Sequence, residues 1–241
     1  FLIPEGAGFD LQVTVRANGQ TSAHLPTLRF EYDPPMLETI AIHSLAGAIL
    51  DRPSTVGGDV ITLTGKSLSK FDGSVVLTGG RIHDSTRCNM HPEGSAARRQ
   101  CTLYGDTRTV RSAELTSHDH NEVVFPMPEG MGTDITVHMV VGGRTSIESP
   151  RLEVSYSPPD VDRVSPDVSH ARGDVVQFIG DDFGEDADPR NQNITVFVGG
   201  EPCADVTFHP RRTTASYSRN PYLSCRTPNM VVGWKDFVVH A

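Results

Sequence analysis

The sequence predicts an all-β chain of antiparallel sandwiches in tandem, and three observations carry the prediction. Short runs rich in Val, Ile and Thr alternate with polar residues and are punctuated by 22 Gly and 17 Pro, while long helical periodicity is missing. The pattern Tyr32-Asp33-Pro34-Pro35 returns as Tyr156-Ser157-Pro158-Pro159, each copy closing a period-two run: Leu28, Phe30 and Tyr32, then Leu152, Val154 and Tyr156. Upstream of each stands a matching turn, Pro4-Glu5-Gly6-Ala7-Gly8 and Pro128-Glu129-Gly130-Met131-Gly132. The spacing is the same in both copies (34 − 4 and 158 − 128, each 30), so the chain reads as an internal duplication.

A strand that runs into two prolines must end there. Neither proline donates a backbone hydrogen bond, and each pushes its predecessor into an extended conformation. Pro34, Pro35, Pro158 and Pro159 are therefore read as short, semi-rigid interdomain hinges that stack consecutive units end to end.

Residues 1–34 read as the closing half of one unit. A turn at Pro4–Gly8 leads to a strand at Leu11, Val13 and Val15, a hairpin turn at Asn18-Gly19, and the strand ending at Tyr32. A hairpin alone is at best marginally stable in water, so this segment must lean on its neighbour or on residues outside the chain. Residues 35–157 read as a complete unit: Ile40 and Ile42, then Gly57-Gly58-Asp59, the strands from Val60 to Gly65 and from Ser74 to Gly80, and the late hairpin at Ile135, Val137, Met139 and Val141. Between these lies a stretch read as an irregular insertion, about 81–121, holding Cys88, Cys101, four His and six Arg. Loops of that length are usually functional or mobile. Residues 158–241 read as a further unit lacking its last strand or strands. It contains Val164-Ser165-Pro166, Gly173-Asp174, the run Val175 to Gly180, Asp182-Phe183-Gly184, the run Ile194 to Cys203, and Leu223 to Pro228.

This last run of motifs (Pro-Pro, Val-x-x-Val-Ser-Pro, Gly-Asp-x-Val-x-Phe-x-Gly-x-x-Phe-Gly, Val-Gly-Gly-x-Pro-Cys, then x-x-Cys-x-x-Pro) resembles the IPT/TIG domain. That immunoglobulin-like fold is shared by plexins, hepatocyte-growth-factor-type receptors, some transcription factors and long arrays in microbial surface proteins. The likeness is strongest at 158–228 and weaker in the middle unit, which reads Gly65-Lys66-Ser67-Leu68 where the family has a Gly-x-x-Phe-Gly turn. It implies tandem seven-stranded sandwiches and no chemistry. It also implies a disulfide between Cys203 and Cys225. Aligned on the family pattern, the middle unit has Phe125 opposite Cys225, which leaves Cys88 and Cys101 to each other inside the insertion, pinning it with Arg98 and Arg99 displayed at its tip for an acidic partner.

The remaining constellations are weak. Asn193-Ile194-Thr195 is an N-glycosylation sequon. His118-Asp119-His120 could chelate a metal only with a third ligand from His83 or His91, and Asp181, Asp182, Glu185, Asp186 and Asp188 lack the spacing of a calcium loop. The cysteine spacing excludes a CxxC zinc pattern, so no metal and no cofactor is expected. A nucleophile elbow, a phosphate-binding glycine loop and an HExxH helix are all missing, so the chain is not read as an enzyme.

Composition narrows the partners. With 21 Lys and Arg against 30 Asp and Glu, the net charge of −9 has the wrong sign for a generic nucleic-acid binder. No apolar run approaches the roughly 20 residues that span a bilayer, so no membrane insertion is expected in this segment. The chain opens inside a repeat unit without a starting Met, which reads as a piece of something longer. The expectation is a structural or adhesive segment of a large extracellular or cell-surface repeat protein, reached by the secretory route. It would contact other domains or copies of the same protein and other surface proteins. The alternatives are a receptor-type ectodomain binding a protein ligand and, against the charge, an IPT-type DNA-binding factor.

Overall fold

The computed structural model describes residues 2–23, 27–83, 104–148, 151–166, 173–184, 194–209, 212–214, 217–219, 221–228 and 237–240. They form an all-β molecule whose two hydrophobic cores each lie between facing sheets; no α-helix occurs among the described residues.

In the central sandwich one sheet runs Ser117–His118, Glu122–Pro126, Val60–Lys66, Met36–His43, Ile147–Glu148, with Ile49–Leu50 also on Met36–His43. The other runs Gly130–Met131, Gly73–His83, Ile135–Val141, Arg144–Thr145, with Tyr104–Val110 on Gly73–His83 and Glu153–Val154 on Ile135–Val141. Period-two alternation puts Leu37, Ile61, Leu63, Val123 and Phe125 of the first sheet against Val75, Leu77, Ile135, Val137 and Met139 of the second, all nearly or fully buried.

The stretch read as irregular is narrower than the sequence suggested. The strand Gly73–His83 continues through Arg81, and Tyr104–Val110 returns antiparallel along it, pairing Val75 with Val110 and His83 with Tyr104. Val110 is buried in the core, and buried Arg108 forms an ion pair with Glu114 in the short 3-10 turn Ser112–Glu114. An arginine at an inward position hid this strand from a reading based on apolar alternation.

The C-terminal sandwich pairs Asp160–Ser165, Val175–Asp181, Tyr222–Arg226 and Ala204–His209 in one sheet, and Glu201–Pro202, Thr195–Val198 and Phe237–His240 in the other. Its core holds Val176, Phe178, Phe183, Val196, Val198, Phe208 and Leu223. The two sandwiches share local bonding: Met127 N–H donates to the Asp59 carbonyl at 2.7 Å, and Thr227 N–H to the Asp174 carbonyl at 2.9 Å. Cys203 and Cys225 are joined in a disulfide with Cα atoms 5.8 Å apart. Phe125, on the strand equivalent to that of Cys225, is fully buried and fills the core with a ring instead.

The N-terminal segment has no hydrophobic core of its own among the described residues. Leu11–Gln12 pairs with Arg29–Phe30, and Arg16–Ala17 pairs with Gln20–Thr21 around the Asn18-Gly19 turn, where both residues have positive φ (48° and 79°). That geometry suits a two-residue hairpin, whose twist matches the flanking strands.

Candidate functional site

The duplicated sequence pattern folds into a duplicated three-dimensional clamp. Tyr32 donates its hydroxyl to the Pro4 carbonyl at 2.8 Å and its N–H to the Gly8 carbonyl at 3.1 Å. Tyr156 donates its hydroxyl to the Pro128 carbonyl at 2.6 Å and its N–H to the Gly132 carbonyl at 3.0 Å. The hydroxyl end of each ring comes against a glycine: a Cβ built on Gly6 would sit 2.7 Å from the Tyr32 hydroxyl, and one on Gly130 2.7 Å from the Tyr156 hydroxyl. Only glycine leaves room there.

The likeness extends through the hairpin. Leu11 faces Phe30 as Ile135 faces Val154. Ser22 N–H donates to the Val15 carbonyl at 2.8 Å, and Ser146 N–H to the Met139 carbonyl at 2.6 Å. All these pairs share one offset of 124 residues (156 − 32, 146 − 22, 135 − 11). Burial pushes the Tyr156 phenol far above its usual pKa, with the nearby Glu129 charge adding to the effect.

Each clamp delivers the chain to a proline pair and straight into the next sandwich. Met36–His43 starts directly after Pro35, and Asp160–Ser165 directly after Pro159. Pro35 is buried, and its carbonyl accepts the Ile147 N–H at 2.8 Å; Ser157 N–H donates to the Pro53 carbonyl at 2.8 Å. The chain on both sides of each hinge is thus tied to a folded sheet.

Side chains then close the two junctions differently. At the first, Lys70 Nζ lies 2.5 Å from Glu5 Oε2 and His120 Nε2 3.7 Å from Glu5 Oε1. The bond to Lys70 holds the Glu5 carboxyl below its ordinary pKa, and Glu5 in turn raises that of Lys70. Arg144 Nη1 reaches Glu31 Oε2 at 3.4 Å and donates to the Tyr32 carbonyl at 3.2 Å, with its guanidinium 5.9 Å from the Phe9 ring centre. Gly142 comes so close to Gly8 that an added Cβ would lie 2.6 Å from the Gly8 nitrogen. Between these contacts lies a cleft of about 180 Å³ lined by Glu5, Tyr32, Ser67, Ser69, His120 and Arg144.

At the second junction one carboxylate oxygen does the joining. Asp182 Oδ1 accepts from the Ser54 hydroxyl at 2.8 Å, the Thr55 N–H at 2.8 Å and the Thr55 hydroxyl at 3.1 Å. Asp182 holds φ 58°, matching φ 56° at Ser67 in the equivalent turn of the central sandwich. The sequence offered no direct signal for these junction pairs, since they join residues more than 60 positions apart; the repeated Pro-Glu-Gly loop was the one visible marker.

Other sequence candidates separate in space. His118 Nε2 lies 3.1 Å from the Leu68 carbonyl, whereas His120 faces Glu5. Among the described residues no group of three or more His, Cys, Asp or Glu could hold a metal ion, and no helix is long and apolar enough to cross a membrane. Cys88, Cys101, Arg98, Arg99 and Asn193, and Glu185, Asp186 and Asp188 of the acidic loop, lie outside the described residues.

No family model matches the chain, and no curated protein matches it. Among solved structures it is similar to SGBP-B from a complex xyloglucan utilization locus in Bacteroides uniformis (13% identity, 86% of this chain and 46% of that one, TM-score 0.29). It is also similar to the plexin A4 full extracellular region (16% identity, 86% and 14%, TM-score 0.29). A third is invasin, a bacterial integrin-binding protein (14% identity, 94% and 40%, TM-score 0.27). The chain spans less than half the length of each of these three. Its β-sandwich class rests on its own sheets and cores.

Proposed function

We propose that this chain is a spacer segment of an extracellular or cell-surface repeat protein, built of tandem IPT/TIG-like immunoglobulin-type sandwiches. It acts through protein contacts and without catalysis. The observation that carries the reading is the duplicated clamp: the same tyrosine, proline and glycine bonds recur 124 residues apart (156 − 32), each followed by a proline pair that opens the next sandwich. A chain that repeats its connection as faithfully as its core is built to set the direction of one unit relative to the next. The Cys203–Cys225 bridge supports an oxidising compartment.

Small-angle scattering on the chain extended to whole end units tests this reading. An elongated envelope with a fixed angle at both proline pairs is the expected result. A compact particle, or units that reorient freely about both pairs, would refute the spacer.

A further inference from the structure

The geometry points to a first junction that is an ionic hinge, opened by salt, beside a second junction that stays shut. This deepens the spacer reading and rests on it for its biological use, though not for its physics. Across the first junction Glu5 and Glu31 of the N-terminal segment face Lys70, Arg144 and the imidazole of His120 on the central sandwich, where Asp119 also acts on Lys70. Glu5, Lys70 and Glu31 are substantially exposed (55%, 41% and 66%), and Arg144 is 29% exposed. Exposed pairs of this kind lose their attraction as the screening length falls from about 10 Å at 0.1 M salt to about 3 Å at 1 M.

Apolar burial does not replace them. Of the N-terminal segment, only Ala7 among the described residues packs against the central core, while Phe9, Val13, Val15 and Leu28 remain exposed. Charge therefore decides whether the segment stays docked. The second junction has a different chemistry. Asp182 is held by two hydroxyls and a backbone N–H, with Thr55 only 2% exposed, and neutral donors sheltered from water feel salt weakly.

Opening the first junction would swing the hairpin away from the cleft wall at Ser67, Ser69 and Val141 while its own clamp, Tyr32 on Pro4, remains closed. A rod with one releasable joint follows, in which a change of ionic environment alters reach without unfolding either sandwich.

The test is intramolecular energy transfer on the full chain between labels at exposed sites. Gln20→Cys with Leu45→Cys reads the first junction, and Leu45→Cys with Glu201→Cys reads the second. Between about 0.1 M and about 1 M sodium chloride, the first distance should lengthen and broaden while the second holds. Lys70→Gln with Arg144→Gln should reproduce the open first junction at low salt, and the exchanged pair Glu5→Lys with Lys70→Glu should close it again. Two results would overturn the hinge: a first distance indifferent to salt, or both distances lengthening together. Free motion at both junctions at low salt would instead refute the spacer itself, so the two failures are distinguishable.

Discussion

The two tyrosine clamps bond alike and are buried differently. Tyr156 is 2% exposed and closes a sandwich whose core continues beneath it, whereas Tyr32 is only half-buried and closes a hairpin with bare apolar residues. Ile135 is fully buried in the second copy, while its counterpart Leu11 is 37% exposed in the first. Local sequence is enough to define the constellation, since both copies make it. Its energetic weight comes from what packs against it.

The largest expected contrast follows from that burial. Ile135→Ala should destabilise the central sandwich by about 2–5 kcal/mol, because it opens a cavity in a closed core. Leu11→Ala, at the same place in the other copy, should shift stability by no more than about 0.5 kcal/mol, as for a surface site. Urea unfolding followed by the two midpoints measures both, and equal shifts would break the comparison.

Removing the clamp hydroxyl should have a smaller but still unequal effect. Tyr156→Phe takes the donor from the part-buried Pro128 carbonyl and should cost about 1–3 kcal/mol; Tyr32→Phe exposes the Pro4 carbonyl to water and should cost under about 0.5 kcal/mol. Alkali sharpens the same point. The Tyr156 phenol is raised above its unfolded value of 10.0, so its stabilising contribution is complete below pH 10 and is lost as pH rises further. The Tyr156→Phe protein should lose less stability than the parent above pH 10, as thermal melts across that range would show.

Acid gives the smallest effect, read at Glu5 of the first junction. Glu5 is held below its ordinary value of 4.5, chiefly by its hydrogen bond to Lys70, with a further contribution from His120. A depressed carboxyl contributes above its unfolded value and loses that contribution as pH falls through the folded one. Docking of the N-terminal segment should therefore be complete above pH 4.5 and weaken below it, and Glu5→Gln should remove that dependence. Amide exchange at Gly8 and Ala7 reads the change.

The sequence by itself determined the β class, the positions of the strands with clean alternation, and the duplication. Alternation and proline are local properties, which short-range sterics and backbone donors dictate. Even the spacing of the tyrosine clamp was legible, because its partners are brought together by one hairpin, turned at Asn18-Gly19 in the first copy and at Gly142-Gly143 in the second. What only the tertiary structure decided was pairing at a distance. Arg108 turned an apparent loop into a strand, because Glu114 supplied the charge that made an inward arginine acceptable. Asp182 stood in an acidic run without the spacing of a calcium loop, and its carboxylate serves Ser54 and Thr55 of the neighbouring sandwich. Lys70 and Arg144 carried no signal as single residues in sequence. A charged side chain has no period and no fixed reach, so its partner is settled only when the packed sheets bring distant loops within a few ångströms.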